Sequence, residues 1–91
     1  MIELVTDRDV REGYSADASG LVLVPDAVAR PESAAEVVDL LRQATASRTW
    51  VTTAGGQTST TAASIADRGI ILSTRRLDRV LDLDVATRTV R

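Results

Sequence analysis

The chain has 91 residues, a net charge of −2 at pH 7 and enough Val, Leu and Ile for a core, so it is one small domain or part of a larger one. It contains no Cys, His or Lys. The lack of Cys excludes disulfides, and the lack of His excludes metal sites and general bases built on imidazole. The lack of Lys excludes Schiff bases and a P-loop lysine. The charge lacks the basic excess of nucleic-acid-binding domains, no apolar run is long enough to span a membrane, and the N-terminus does not read as a signal peptide. The composition predicts no nucleic-acid partner, no transmembrane segment and a cytoplasmic location.

A polar lead-in occupies residues 1–20. Thr6 followed by Asp9 has the spacing of a helix N-cap with an acid three residues later, and Gly13 is a natural stop, so a short helix is predicted between them. The next stretch is apolar and β-branched up to Pro25, and residues 27–29 are predicted to form a short strand.

The clearest predicted element is a helix over residues 33–47. Ser33 and Glu36 have the spacing of a capping box, and Pro31 lies just ahead, where a missing N–H costs nothing. Helical spacing then predicts one apolar face made of Val37, Val38, Leu41 and Ala44.

Two β-branched stretches flank a loop in the next part of the chain. Residues 50–53 and 69–73 are predicted strands, and residues 54–64 between them carry almost no bulky side chain. The order strand, helix, strand, loop, strand predicts an α/β fold with parallel strands and the helix on one face.

The last predicted element is a β-hairpin. Residues 80–84 alternate, with Leu81 and Leu83 on one face, residues 85–88 form a turn, and residues 89–91 begin a returning strand. A returning arm this short suggests that the chain is a truncated piece of a longer protein. A natural terminus on a short edge strand is the alternative.

The loop has the composition of an anion-binding segment. Gly55 and Gly56 allow the backbone to approach a ligand closely, the following Ser and Thr residues add donors, and no charged residue lies between Thr49 and Asp67. An anion here would be held by amides and hydroxyls, which suits the pyrophosphate of a large cofactor. The residue types alone leave a flexible surface loop equally open.

The loop 54–59 and the segments before and after it, taken in order along the chain, resemble the FAD-binding domain of the vanillyl-alcohol-oxidase/PCMH flavoprotein superfamily. The loop Ala-Gly-Gly-Gln-Thr-Ser is similar to the Arg-Gly-Gly-Gly-Thr-Ser segment with which that family holds the FAD pyrophosphate. Other similar segments follow the family's order: residues 25–38, with their Arg-Pro and Glu-Val motifs, and residues 69–73, 77–80 and 83–84. Residues 14–19 resemble the lead-in of the family's glycolate oxidase and D-lactate dehydrogenase branch.

The resemblance implies a set of cofactor-binding residues in the loop: Ala54, Gly55, Gly56, Gln57, Thr58, Ser59, Thr60 and Thr61. It implies no catalytic or metal-binding residue in this chain. Ala54 replaces a frequent Arg, and Gln57 replaces the third Gly at a place where some members carry a flavin-linking His, so the expected FAD is non-covalent. Because glycine tolerates a positive φ and other residues do so less readily, Gln57 and Ala62 are expected to restrict the backbone conformations of the loop.

The implied fold is the first subdomain of a PCMH-type FAD-binding domain: a parallel β-α-β core, the glycine- and threonine-rich loop and the hairpin. Residues 1–20 would be the lead-in, and residues 21–91 the N-terminal half of the domain. The implied function is FAD binding within an oxidoreductase that oxidises a 2-hydroxy acid by hydride transfer to flavin. The implied partner is a missing C-terminal part of the same flavoenzyme, and the isolated chain is expected to be inactive. The alternative is a standalone small α/β binding or interaction module without catalytic activity.

Overall fold

The computed structural model describes residues 2–91, which form α1 (Arg8–Gly13), β1 (Ala27–Ala29), α2 (Ala34–Ser47), β2 (Val51–Ala54), β3 (Ile70–Ser73), β4 (Leu83–Asp84) and β5 (Thr89–Val90). The first three strands make one sheet in the order β1-β3-β2, and β4 and β5 make a separate two-stranded ribbon. This mixed arrangement confirms the predicted α/β class.

Both neighbours of the central strand run parallel to it. Ala27 of β1 and Val51 of β2 each lie opposite Ile70 of β3. All residues of β1 and β3 are buried, as expected for parallel strands covered on both faces. The predicted crossover is confirmed, although β2 begins at Val51 rather than Trp50.

The helix α2 begins where the sequence places it, because the Ser33 hydroxyl accepts a hydrogen bond from the Glu36 amide at 3.2 Å. Its predicted apolar face is wrong in part. Leu40 is fully buried, whereas Val38 and Leu41 are 46% and 45% exposed. The face toward the sheet follows Val37, Leu40 and Ala44. The predicted face was therefore turned by roughly 50° around the helix axis, about half of the rotation between successive residues.

The short helix of the lead-in is also confirmed, with a corrected N-cap. Asp7, not Thr6, caps α1, because its carboxylate accepts hydrogen bonds from the amides of Asp9 at 2.9 Å and Val10 at 3.3 Å. The helix ends at Gly13 as predicted.

The lead-in covers the sheet face opposite α2. Val10 and Tyr14 pack against a buried cluster formed by Val28, Ala54 and Ile71, one residue from each strand of the sheet. The lead-in is therefore packed against the core of the domain.

The hairpin forms with a shorter regular part than predicted. Leu83 lies opposite Val90, and hydrogen bonds between Asp82 and Arg91 extend the pairing beyond the assigned strands. Both predicted apolar positions of its first arm are exposed, Leu81 at 69% and Leu83 at 66%.

Candidate functional site

The glycine-rich loop leaves the sheet at the carboxyl edge of β2, beside the carboxyl end of β3. Thr74, the residue after β3, donates to the carbonyl of Ala54 from its amide at 3.0 Å and from its hydroxyl at 3.4 Å. Ala54 is fully buried in the sheet and its carbonyl is occupied by Thr74, so this residue supports the start of the loop. Ligands of open parallel sheets bind at this carboxyl edge.

Gly55 and Gly56 are both exposed at the start of the loop. A Cβ placed on Gly55 would meet only the Thr74 hydroxyl oxygen at 3.7 Å, and one on Gly56 only the Thr58 methyl at 3.8 Å. Neither glycine has a positive φ. The protein itself therefore does not require glycine at these two positions, and the space beside their backbone is open to a ligand.

The positive φ angles that favour glycine occur instead at two non-glycine residues of the loop. Gln57 has φ 56° and Ala62 has φ 62°, both in the left-handed region, which costs a residue with a Cβ about 1–2 kcal/mol. The replacement of glycine at these positions thus leaves the left-handed turns in place. The loop must recover that cost through other contacts.

The hydroxyl residues of the loop divide into two groups. Ser59 is engaged inside the loop, where its oxygen accepts hydrogen bonds from the amides of Thr61 at 3.2 Å and Ala63 at 3.3 Å. Thr58 and Thr60 are exposed, and their side chains make no hydrogen bond within the described part of the chain. Ser59 therefore shapes the loop, while the two threonine hydroxyls are free to donate to a ligand.

The lead-in holds the loop from the side, a role that the loop sequence alone did not indicate. The Gln57 side-chain amide donates to the Tyr14 carbonyl at 3.1 Å, and the Tyr14 hydroxyl donates to the Ser73 hydroxyl at 2.9 Å. Ser64, at the far end of the loop, donates to Asp17 at 3.5 Å. Ser73 was not singled out from the sequence, and the signal that could have found it is a hydroxyl residue at the end of a buried parallel strand.

No charged side chain lies within the loop itself, residues 54–64. Hydrogen bonding, chiefly from Ser19, lowers the pKa of Asp17, which stays ionised and engaged with neighbouring donors. The ion pair of Asp67 with Arg68, which raises the pKa of Arg68, follows the loop in sequence and precedes β3, at the amino edge of the sheet. An anion at the loop would thus be met by amide and hydroxyl dipoles, which is consistent with a bound pyrophosphate.

Together, the parallel β-α-β core and the open, glycine-containing loop at its carboxyl edge define a small α/β ligand-binding domain. A family model described as "FAD binding domain" matches residues 25–91, which include the whole sheet, α2 and the loop. The chain therefore belongs to the FAD-binding domain family, of the PCMH type, which is typical of FAD-dependent oxidoreductases. No curated protein matched the chain. Within residues 2–91, every helix is too short or too polar to cross a membrane.

Proposed function

We propose that the loop holds the pyrophosphate of FAD through main-chain amides and hydroxyls. The observation that supports this most directly is the open backbone of Gly55 and Gly56, where a Cβ would meet no protein atom closer than 3.7 Å. Thr58 and Thr60 would add hydroxyl donors from the exposed side of the same loop. Within the predicted set of site residues, Ala54, Gln57 and Ser59 would support the loop. The exposed Thr61, whose hydroxyl lies 3.2 Å from that of Ser59 in a hydrogen bond, would help to hold its shape.

The FAD is proposed to be non-covalent. The chain has neither His nor Cys, and Gln57, at the place where some family members attach the flavin, has a side-chain amide that is not a nucleophile. Its amide nitrogen is also already used as a donor to Tyr14.

The enzyme that uses this domain is proposed to oxidise a 2-hydroxy acid of the glycolate or D-lactate type in the cytoplasm. Support comes from the similarity of residues 14–19 to the lead-in of that branch of the family. Bound flavin supplies the acceptor for a hydride from the substrate α-carbon. The loop's part is to bind and orient the cofactor's phosphates, while a C-terminal part of the flavoenzyme supplies the flavin surroundings and catalytic residues. This chain alone is then inactive.

A titration followed by amide chemical shifts tests the pyrophosphate site even when binding is weak. The full chain is titrated separately with FAD, with ADP and with riboflavin. FAD and ADP, which carry the pyrophosphate, are expected to shift the amide signals of Gly55, Gly56 and Thr58. Riboflavin, which lacks it, is expected to leave them in place. Unmoved loop amides at saturating FAD would refute the site.

Gly56→Val is the decisive variant, and Gly13→Val is its control. The Cβ of a valine at Gly56 would meet only the Thr58 methyl, at 3.8 Å. The far-ultraviolet circular dichroism should therefore persist while FAD and ADP affinity falls at least tenfold, about 1.4 kcal/mol. Gly13, at the end of α1, also has open space around it and lies outside the loop. Equal FAD affinity of Gly56→Val and the parent chain would refute the proposal.

A further inference from the structure

The lead-in contacts the loop near both of its ends. At the start of the loop, the Tyr14 carbonyl accepts a hydrogen bond from Gln57, and at its end Asp17 accepts one from Ser64. Ser64 is buried, and Gln57 is half-buried. Residues 14–17, which we call the clasp, thus lie alongside the loop and bridge the two ends of its 54–64 segment.

The clasp is itself fixed to the sheet. The Tyr14 ring packs against the cluster that contains Ala54 and Ile71, and its hydroxyl donates to Ser73 at the end of β3. Ser15 is buried, its hydroxyl donates to the Glu12 carbonyl at 2.6 Å, and its carbonyl accepts from the Leu23 amide at 2.9 Å. A contact to the clasp therefore connects the loop to the folded core.

We propose that Tyr14 and Gln57 are positioning residues, which hold the loop in its binding conformation before the cofactor arrives. The inference rests on the proposed pyrophosphate site. Gln57 has a left-handed backbone conformation, which is unfavourable for a residue with a Cβ. The same side chain makes the hydrogen bond to the clasp. Glycine would reach the same conformation freely but leave it unanchored. Anchoring a loop in its bound geometry raises affinity because less ordering is needed on binding.

The test measures amide order parameters of Gly55, Gly56 and Thr58 in the flavin-free chain, in the parent and in Gln57→Asn. Asparagine tolerates the left-handed region, but its shorter side chain does not reach the Tyr14 carbonyl. In the parent these order parameters should be near the ~0.85 of rigid backbone, and in Gln57→Asn they should fall toward 0.6 or below, at about the flexible limit. FAD affinity should fall about fivefold, the change that corresponds to one net hydrogen bond.

Two further variants separate positioning from a general loss of stability. Gln57→Gly removes the same anchor and should loosen the loop equally. Arg88→Gly, at the left-handed residue of the β4–β5 turn with φ 55°, introduces the same residue outside the site and should leave the loop order parameters unchanged. Tyr14→Phe removes only the hydroxyl contact to Ser73 and should loosen the loop less than Gln57→Asn does.

The outcomes distinguish this inference from the proposed function. Loop order parameters that stay at the parent value in both Gln57 variants overturn the clasp, whatever the FAD titration shows. Lower order parameters in the Gln57 variants with no FAD binding by the parent would show that Gln57 anchors the loop, but would refute the pyrophosphate site and overturn the positioning role with it. A loss of order spread equally over the sheet and hairpin would also overturn the clasp, because it would show a structural role only.

Discussion

Gly69 is the position at which this fold depends most directly on glycine. It precedes β3 with φ +73°, and a Cβ there would overlap the carbonyl oxygen of Trp50 and approach the Trp50 carbonyl carbon to 3.1 Å. That oxygen accepts the hydrogen bond from the Ile70 amide at 2.8 Å, at the start of the pairing between β2 and β3. The Gly69 amide also donates to Asp26 at 2.8 Å, which ties the same turn to the start of β1.

Gly69→Ala should therefore carry two costs. The left-handed conformation with a Cβ costs about 1–2 kcal/mol, and the overlap with backbone, which cannot swing away as a flexible side chain would, adds about 1–3 kcal/mol. The expected loss of unfolding free energy is about 2–5 kcal/mol. Since a domain of this size is stable by roughly 5–14 kcal/mol, the substitution should remove a large share of its stability.

Two other glycines of the same chain provide matched controls. Gly20 has φ +86° with nothing within 4 Å of its Cβ position, and Gly13 has neither a left-handed φ nor a neighbour within 4 Å. Urea unfolding followed by circular dichroism should give a loss of about 1–2 kcal/mol for Gly20→Ala, from the conformational cost alone. Gly13→Ala should be neutral or stabilising by up to about 1 kcal/mol at the end of a helix. A Gly69→Ala cost no larger than that of Gly20→Ala would refute the reasoning about the overlap.

Local signals explain the parts of the fold that the sequence predicted well. The start of α2 depends on Ser33 and Glu36, which lie in one turn and contact each other directly. The parallel direction of the strands follows from the alternation of apolar β-branched stretches with one amphipathic helix. The order β1-β3-β2 was not predicted, because topology rules leave more than one strand order open. The composition of the loop left a flexible surface loop equally open, and its assignment to a pyrophosphate came from the resemblance of residues 54–59 to the family's glycine-rich segment.

Features that depend on exact packing were predicted less well. Val38 and Leu41 satisfy helical spacing as well as Leu40 does, and periodicity does not tell which apolar stripe the sheet will cover. At α1, Thr6 and Asp7 are both good caps, and the choice depends on which oxygen reaches the amides of the first turn.

The supporting contacts of the site were beyond sequence reasoning because they join distant residues. The bond from Tyr14 to Ser73 spans 59 positions, and that from Gln57 to Tyr14 spans 43. The sequence also suggested that Gln57 would restrict the loop. The structure shows that this residue keeps the left-handed turn, with its side chain anchored on the lead-in. Such a compensation is visible only when both partners are placed in space.

Two further predictions concern the cap of α2 and the clasp. Ser33→Ala should lower the unfolding free energy by about 1 kcal/mol, because the Glu36 amide loses its acceptor, and an unchanged melting midpoint would contradict the cap. Asp17→Asn should destabilise the chain at neutral pH, because hydrogen bonds from Ser19 hold the folded-state pKa of Asp17 below its ordinary value of 3.8. A lowered folded-state pKa means that the carboxylate's contribution is present above the unfolded-state value and is lost as pH falls through the folded-state value. The stability curves of Asp17→Asn and the parent should therefore stay apart at neutral pH and converge below pH 3.8. A gap that stays constant across that range would show that the ionised carboxylate contributes nothing to holding the clasp.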